Sequence, residues 1–280
     1  VTLASGSALT ANGLIINAAG LTQPTGTVSL SAPTLQIGGG SLIGAADLTV
    51  AAANQLLISG SSLLHGTVSR YSAGTTLSLN SGLLAAQRYT FTSTGGTISF
   101  VDTKIGRGGS NAADALDLTA QNLQVSGSEL LATTARINTT GASSVSASTL
   151  QFGSADWNAG SLSLTGTQAS IGSLTARVTQ VITLDGGTLS GSTLSLTGGS
   201  LVLRGNTKLL SSGLLSLDSQ TLQISNSELS GATSQIRTGG AASASNSVLR
   251  LGNAEWNAGS LSLSSNTAFA SRLTATTSQA

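Results

Sequence analysis

The chain has 280 residues, of which only 8% are charged, and its positive mean hydropathy excludes the low-hydrophobicity, high-charge composition of disordered proteins. A formal net charge of +1, without a basic run, disfavours binding to nucleic acid or to an anionic membrane surface. The sequence has no cysteine, which excludes disulfides and thiolate sites and suits a chain that crosses a membrane unfolded. No apolar run is long enough for a membrane-spanning helix, so we expect a protein that is not embedded in a membrane.

Short apolar-polar-apolar triplets, separated by Gly, Ser, Thr or Asn, run along the chain. Their strict alternation predicts short strands with one buried face. The triplets recur at a fixed distance: Leu30 at Val50, Ile37 at Ile58, Ile43 at Leu64, Leu189 near Leu209 and Leu229, Leu196 at Leu217, and Leu203 at Ile224. The repeat is therefore about 20 or 21 residues long.

Three short strands in each repeat predict a right-handed parallel β-helix, a triangular solenoid in which each coil pairs its strands with the coils before and after it. Leucine columns would form the core, and Gly and Asn would supply the positive φ that tight corners need. No window carries a convincing helical apolar stripe. We expect residues 1–280 to be one β-helical segment of a longer exoprotein.

The coil rhythm stretches at two places, which predicts possible inserted loops within 65–76 and 101–115. Two Arg–Tyr pairs lie near the first of them, and the pairs are about one coil apart. A contact patch for a carbohydrate or a protein could extend from there to Arg107, and its residues would be Arg70, Tyr71, Arg88, Tyr89 and Arg107. The alternative is that Phe91 and Phe100 fill a widened core while the Arg–Tyr pairs are ordinary surface.

The chemistry of a catalytic or metal site is sparse. His65 is the only histidine, so a corner or solvated histidine is preferred to a catalytic one. The densest charged stretch contains Asp102, Lys104, Arg107, Asp114 and Asp117. A solvated loop that interrupts the coils explains this stretch better than a catalytic groove does. We predict no catalytic residue, no metal and no cofactor.

The segment 116–176 aligns without a gap on 215–275, at an offset of 99 residues, and roughly half of the positions are identical. Such a tandem duplication is typical of a repeat architecture. Trp157 recurs at Trp256, each next to an acidic residue and an asparagine, so the two could be equivalent ligand sites. Because the whole neighbourhood was copied, a structural tryptophan is the competing interpretation, and exposure of the indole distinguishes the two.

The coil rhythm, the phrases GTVSLSAPTLQI and GSTLSLTGGSLVL, and the lack of cysteine resemble the filamentous-haemagglutinin family of two-partner-secreted adhesins and contact-dependent inhibition filaments. The resemblance implies export by an outer-membrane partner barrel and a long β-helix that holds binding regions, or a toxin, away from the cell. The family's N-terminal secretion domain has Asn-Pro motifs, which this chain lacks, so the resemblance indicates an interior piece.

We therefore expect a non-enzymatic, structural or adhesive shaft segment, secreted or at the surface of a Gram-negative bacterium, whose partner is a receptor or glycan on a host or neighbouring cell. One alternative is a β-helical polysaccharide lyase or glycosidase, which would need carboxylates and basic residues converging on one wall. An ice-binding solenoid is the other alternative. It would need regular Thr-x-Thr ranks, and the Thr-x-Thr triplets in this sequence are scattered.

Overall fold

The computed structural model describes residues 7–10, 14–16, 26–38, 42–60, 63–107 and 111–278. The fold is an all-β parallel β-solenoid of about 12 turns without a helix, which confirms the predicted class. Clustering of contacts divides the chain into two compact units, Val1–Thr140 and Gly141–Ala280. Each unit is described below by itself.

In the described residues of the first unit there are eleven strands, and all of their pairings within the unit are parallel. The strands are β1 (Ser7–Thr10), β2 (Leu14–Ile16), β3 (Thr27–Ile37), β4 (Leu42–Gly44), β5 (Asp47–Ser59), β6 (Leu63–Ala73), β7 (Thr76–Asn80), β8 (Leu83–Val101), β9 (Lys104–Gly106), β10 (Ala113–Ser126) and β11 (Glu129–Thr139).

The second unit contains eight strands, and most of them are longer because the chain bends at corners without losing its pairing. They are β12 (Ala142–Ser146), β13 (Thr149–Ala159), β14 (Ser161–Val178), β15 (Val181–Arg204), β16 (Lys208–Ser225), β17 (Glu228–Ser245), β18 (Val248–Ser264) and β19 (Thr267–Thr277).

Each coil pairs with the next through three stretches. Between β16 and β17 they begin at Lys208, Leu214 and Leu222, and the register shifts between consecutive stretches. These are the three short strands that the triplets predict. Within each stretch the side chains alternate between core and surface, as the pleat of a β-strand requires.

Leucine columns form the core of both units. In the first unit, Leu30 pairs with Val50, 20 positions later, and Ile37 pairs with Ile58, 21 positions later. In the second unit, Leu189, Leu209 and Leu229 follow one another at steps of 20. All of these side chains are buried. The recurrences read from the sequence are therefore direct neighbours in the sheet.

One of the two expected inserted loops is absent. Residues 65–73 belong to β6, which pairs with β5 on one side and β8 on the other, so the chain has no loop there. The coil that includes 101–115 is longer: Leu118 pairs with Phe91, 27 positions earlier, and Leu130 pairs with Ile105, 25 positions earlier. His65 is one of the residues whose side chain the structure does not describe, so its predicted role stays a prediction.

One corner of the coil recurs with a residue in the left-handed region of φ. Asn226 and Asn246 both have φ of 47°, and their backbone N–H groups donate to the carbonyls of Ser245 and Ser264 in the next coil. Asparagine tolerates this conformation better than most residues other than glycine. The same corner conformation recurs at Ser81, Asp102, Gly127, Ala147, Gly166, Gly186, Asn206 and Ser265.

The residue after this corner position is usually a serine or threonine whose side chain points into the protein. Such residues are Thr103, Ser128, Ser148, Thr167, Thr207, Ser227 and Ser247, and all are buried. Their hydroxyls donate to backbone carbonyls: Ser227 Oγ donates to Ser225 O at 2.8 Å, and Ser247 Oγ donates to Ser245 O at 2.7 Å. Ser247 Oγ also accepts from the Ser227 N–H of the previous coil, at 3.3 Å. These hydrogen bonds link successive coils.

Removing one of these buried hydroxyls is expected to destabilise the second unit. Thr207 Oγ1 donates to the carbonyls of Leu184, at 3.0 Å, and Arg204, at 2.6 Å. Thr207→Val would leave these carbonyls without that donor, at a cost of about 1–3 kcal/mol in the free energy of unfolding.

The matched control is Thr238→Val, because the hydroxyl of Thr238 is buried without a hydrogen-bond partner. Removing it should leave stability unchanged or raise it. Urea unfolding followed by circular dichroism compares the two variants. Equal losses of stability would mean that the hydrogen bonds of the Thr207 hydroxyl do not stabilise the corner.

Candidate functional site

An aromatic cluster fills the core of the first unit. Tyr71 stacks on Phe91 with ring centroids 4.9 Å apart, and Tyr89 stacks on Phe91 at 5.7 Å. Phe100 meets Phe91 edge to face at 5.2 Å. All four rings are buried. The cluster adjoins the longer coil, where large side chains fill the wider interior.

The two tyrosine hydroxyls differ in their partners. Tyr89 Oη donates to the carbonyl oxygen of Gly106 at 2.7 Å, which ties the cluster to the longer coil. The hydroxyls of Tyr71 and Ser69 are buried without a partner that meets hydrogen-bond geometry. Burial raises the pKa of both tyrosines because it disfavours the phenolate. Both hydroxyls therefore stay protonated at neutral pH.

The predicted contact patch is not formed as expected, since its tyrosines are only 1% exposed. Neighbouring residues on a strand face opposite sides, so each Arg–Tyr pair directs the arginine outward and the ring inward. Arg70 pairs with Thr90 and Arg88 with Val68, so the two exposed arginines are also out of register. A binding role for Arg70, Arg88 or Arg107 stays a prediction.

The charged residues of the longer coil form separate pairs on the surface. Lys104 Nζ lies 2.8 Å from Glu129 Oε2 of the next coil, and Arg107 lies 3.9 Å from Asp114. Further along, Arg136 lies 3.7 Å from Asp117. All of these side chains are at least one-third exposed. Such pairs contribute little to stability, because solvent screens them.

Trp157 and Trp256 lie in one buried column of the second unit. The column runs Trp157, Ala176, Leu196, Leu217, Ile236 and Trp256, so that the two tryptophans are five coils apart. Each indole is 1% exposed, and neither Nε1 has a hydrogen-bond partner. Neither indole can stack on a ligand at the surface, which corrects the expectation of two equivalent ligand sites. The two copies of the duplicated sequence are therefore offset by five coils.

The outer wall of the second unit carries a feature that the sequence analysis did not single out. Arg250 and Phe269 are neighbours in register, and the Arg250 guanidinium carbon lies 5.2 Å from the centre of the Phe269 ring. Arg250 Nε also donates to Glu228 Oε1 at 3.1 Å. These residues flank a groove of about 730 Å³, whose other lining residues are mostly Ser, Gly and Ala of four successive coils.

Within the described residues, no three or more His, Asp or Glu side chains come together in a way that could hold a metal ion. No helix capable of crossing a membrane occurs in the same part of the chain.

These features define a protein of the parallel β-solenoid class, with aliphatic columns inside and walls of Ser, Thr and paired charges outside. No known protein family, curated protein or solved structure matches the chain.

Proposed function

We propose that the chain is a non-catalytic shaft segment of a large filament, secreted or held at the surface of a Gram-negative bacterium. Its role is to space and present binding regions away from the cell. The β-solenoid fold is compatible with adhesin shafts and with polysaccharide enzymes, so the choice between them depends on the walls.

One observation carries the proposal: each column of the core receives one side chain from every coil, and the same columns continue from coil to coil. The duplicated segments 116–176 and 215–275 are offset by five coils, and their equivalent residues Trp157 and Trp256 lie in one column. In a solenoid each coil contacts only its neighbours, so whole coils can be added without disturbing the rest. A device that spaces two objects benefits from such growth, whereas a catalytic groove gains nothing from length alone.

The finer part of the proposal is adhesion. Export through an outer-membrane partner barrel, and contact with a receptor or glycan of a host or neighbouring cell, follow from the resemblance to filamentous haemagglutinins. The coil rhythm, the low content of charged residues and the lack of cysteine support this part.

The second candidate is a β-helical polysaccharide-active enzyme. It requires carboxylates or basic residues that converge in a groove. In the longer coil, the observed pattern is one acid facing one base, as in Lys104–Glu129 and Arg107–Asp114. This pairing favours the shaft over the enzyme.

The shaft role is tested in the full-length protein by exchanging this segment for an unrelated β-solenoid with the same number of coils. The control exchange inserts a Gly/Ser linker of equal residue number, which behaves as a flexible coil. We expect the solenoid exchange to keep filament length in electron micrographs and antibody access to a tag placed beyond the segment. The linker should lose both.

A filament whose length is the same with the solenoid, with the linker and without any insert would contradict the shaft role. If the solenoid exchange preserves length but abolishes degradation of a polysaccharide by the filament, the enzyme candidate is favoured instead.

A further inference from the structure

The groove beside Arg250 and Phe269 is a preformed surface feature of the second unit. The groove crosses four coils, at Ser211, Ser230, Arg250 and Phe269 and at the small residues next to them. The floor stays low because the corner admits no larger residue: a Cβ on Gly252 would overlap the carbonyl oxygen of Ala232. The strands β16, β17 and β18 that form most of the groove are each paired with both neighbouring coils, and β19, which carries Phe269, is paired with β18.

Phe269 differs from the other aromatic side chains of the chain. Phe269 is 55% exposed, whereas the two tryptophans, the two tyrosines and the other three phenylalanines lie in the core, at Trp157, Trp256, Tyr71, Tyr89, Phe91, Phe100 and Phe152. The register determines the direction of the side chain. Phe269 pairs with Arg250, an outward position, whereas Leu273 of the same strand pairs with Ala254, a buried one. Phe269 therefore lies on the outward-facing side of its strand, and Leu273 lies on the inward-facing side.

The duplication provides an internal comparison. At the offset of 99, Arg250 corresponds to Gln151 and Phe269 corresponds to Ser170. Gln151 and Ser170 are likewise neighbours in register on the outer wall. The first copy therefore shows that the fold does not need the cation and the ring. Their presence together in the second copy is a local addition to a shared scaffold.

We infer that this groove binds a linear, uncharged oligosaccharide. One face of the Phe269 ring is near the guanidinium, and the exposed part of the ring offers an apolar platform for the C–H face of a sugar. Arg250 uses one N–H for Glu228, which neutralises its charge and leaves other donors for sugar hydroxyls. The side chains of Ser212 and Ser230 add hydroxyl groups along the groove, whereas the Ser211 hydroxyl is buried and donates to the Ser192 carbonyl.

A glycan fits these observations better than a peptide does. The groove combines one aromatic platform with several hydroxyl groups and has no deep apolar pocket for side chains. Each of the four coils contributes a short run of residues, most of them small, and successive coils are about 4.8 Å apart. A linear chain of sugar rings that crosses the coils would contact one coil with each ring. The inference goes beyond the shaft role, which stands whether or not the groove binds a ligand.

The test measures binding of maltohexaose, cellohexaose and laminarihexaose to the 280-residue chain by titration calorimetry and by saturation-transfer NMR. The variants restore the first copy's residues: Phe269→Ser, and the double change Phe269→Ser with Arg250→Gln. The matched control is Leu273→Ser, which removes an exposed side chain from the same strand outside the groove. Circular dichroism checks that every variant keeps its fold.

We expect at least one hexasaccharide to bind with a Kd of about 1 mM or tighter. Phe269→Ser should weaken binding by about tenfold or more, and Leu273→Ser should leave it within about twofold. The sugar should be recovered intact by chromatography. Absence of binding by all three sugars, or equal binding by the Phe269→Ser and Leu273→Ser variants, would overturn the inference, while the shaft role is judged by filament length alone.

Discussion

Replacing Leu196 by Asp is expected to abolish the cooperative folding of the second unit. Leu196 is 1% exposed and stands between Ala176 and Leu217 in the column that also holds both tryptophans. An unpaired carboxylate there would be buried among aliphatic side chains, at a cost of several kcal/mol. A typical domain has a stability of roughly 5–15 kcal/mol, so the loss is comparable to the whole.

Ser195→Asp is the matched control, because Ser195 is the adjacent residue and faces outward on the same strand. This change should alter stability by about 0.5 kcal/mol or less. Leu196→Ala should lie between the two, with a loss of about 2–5 kcal/mol. Thermal unfolding followed by circular dichroism measures all three. If both aspartate variants melt at the same temperature as the parent chain, Leu196 is not in a core column.

The fold could be predicted because two properties of the sequence agree. Alternation determines which face of each strand is buried, and the repeat length determines which residues become neighbours. Leu203, for example, pairs with Ile224 because the two residues occupy the same position in successive coils. The core contacts of a solenoid can be predicted from its sequence, since nearly every one of them joins residues one coil apart.

The candidate site was harder to predict, because surface and core differ by a single residue along a strand. The pairs Arg70–Tyr71 and Arg88–Tyr89 were treated as units, although adjacent side chains on a strand point in opposite directions. Continuing the alternation from buried Leu64 would not have settled the direction either, because Gly66 and Ser69 are both buried and the phase changes between them. Phe269 escaped notice because the strand around it has no leucine triplet.

The buried Ser and Thr at the corner were missed for a different reason. The alternation of apolar and polar residues predicts that Ser and Thr lie on the outer wall. The side chain that follows a left-handed residue points instead into the corner, where backbone carbonyls accept a hydrogen bond from its hydroxyl. The pattern was present in the sequence as Asn206-Thr207, Asn226-Ser227 and Asn246-Ser247, at steps of 20. A search for polar as well as apolar periodicity would have found it.

The second prediction concerns whole coils. Deleting 157–255 removes 99 residues and joins Asp156 to Trp256, which recreates the local sequence Ala-Asp-Trp-Asn-Ala-Gly at the seam. Both tryptophans occupy one column, so the strands after the junction should pair in their native register. We expect the shortened chain to fold, since coils interact only with their neighbours. It should be shorter by five coils, or about 24 Å.

The control deletion removes 157–246, which is 90 residues, and joins Asp156 to Ser247. The residues after the seam are then shifted by about half a coil relative to the native register. Corner residues lie beside the middle of a strand in the next coil, and the core columns are interrupted. We expect this chain to lose the part of the cooperative thermal transition that the second unit contributes, because the strands that follow the seam cannot bury their apolar faces in register, whereas Val1–Thr140 is unchanged.

Circular dichroism melting of these two deletion chains beside the parent is the most direct measurement of whether side chains one coil apart form the columns of the core. We predict one sharp transition with a midpoint near that of the parent for the 99-residue deletion, and for the 90-residue deletion a transition that has lost the amplitude of the second unit. A second-unit transition in both deletion chains, or in neither, would contradict this arrangement of the core.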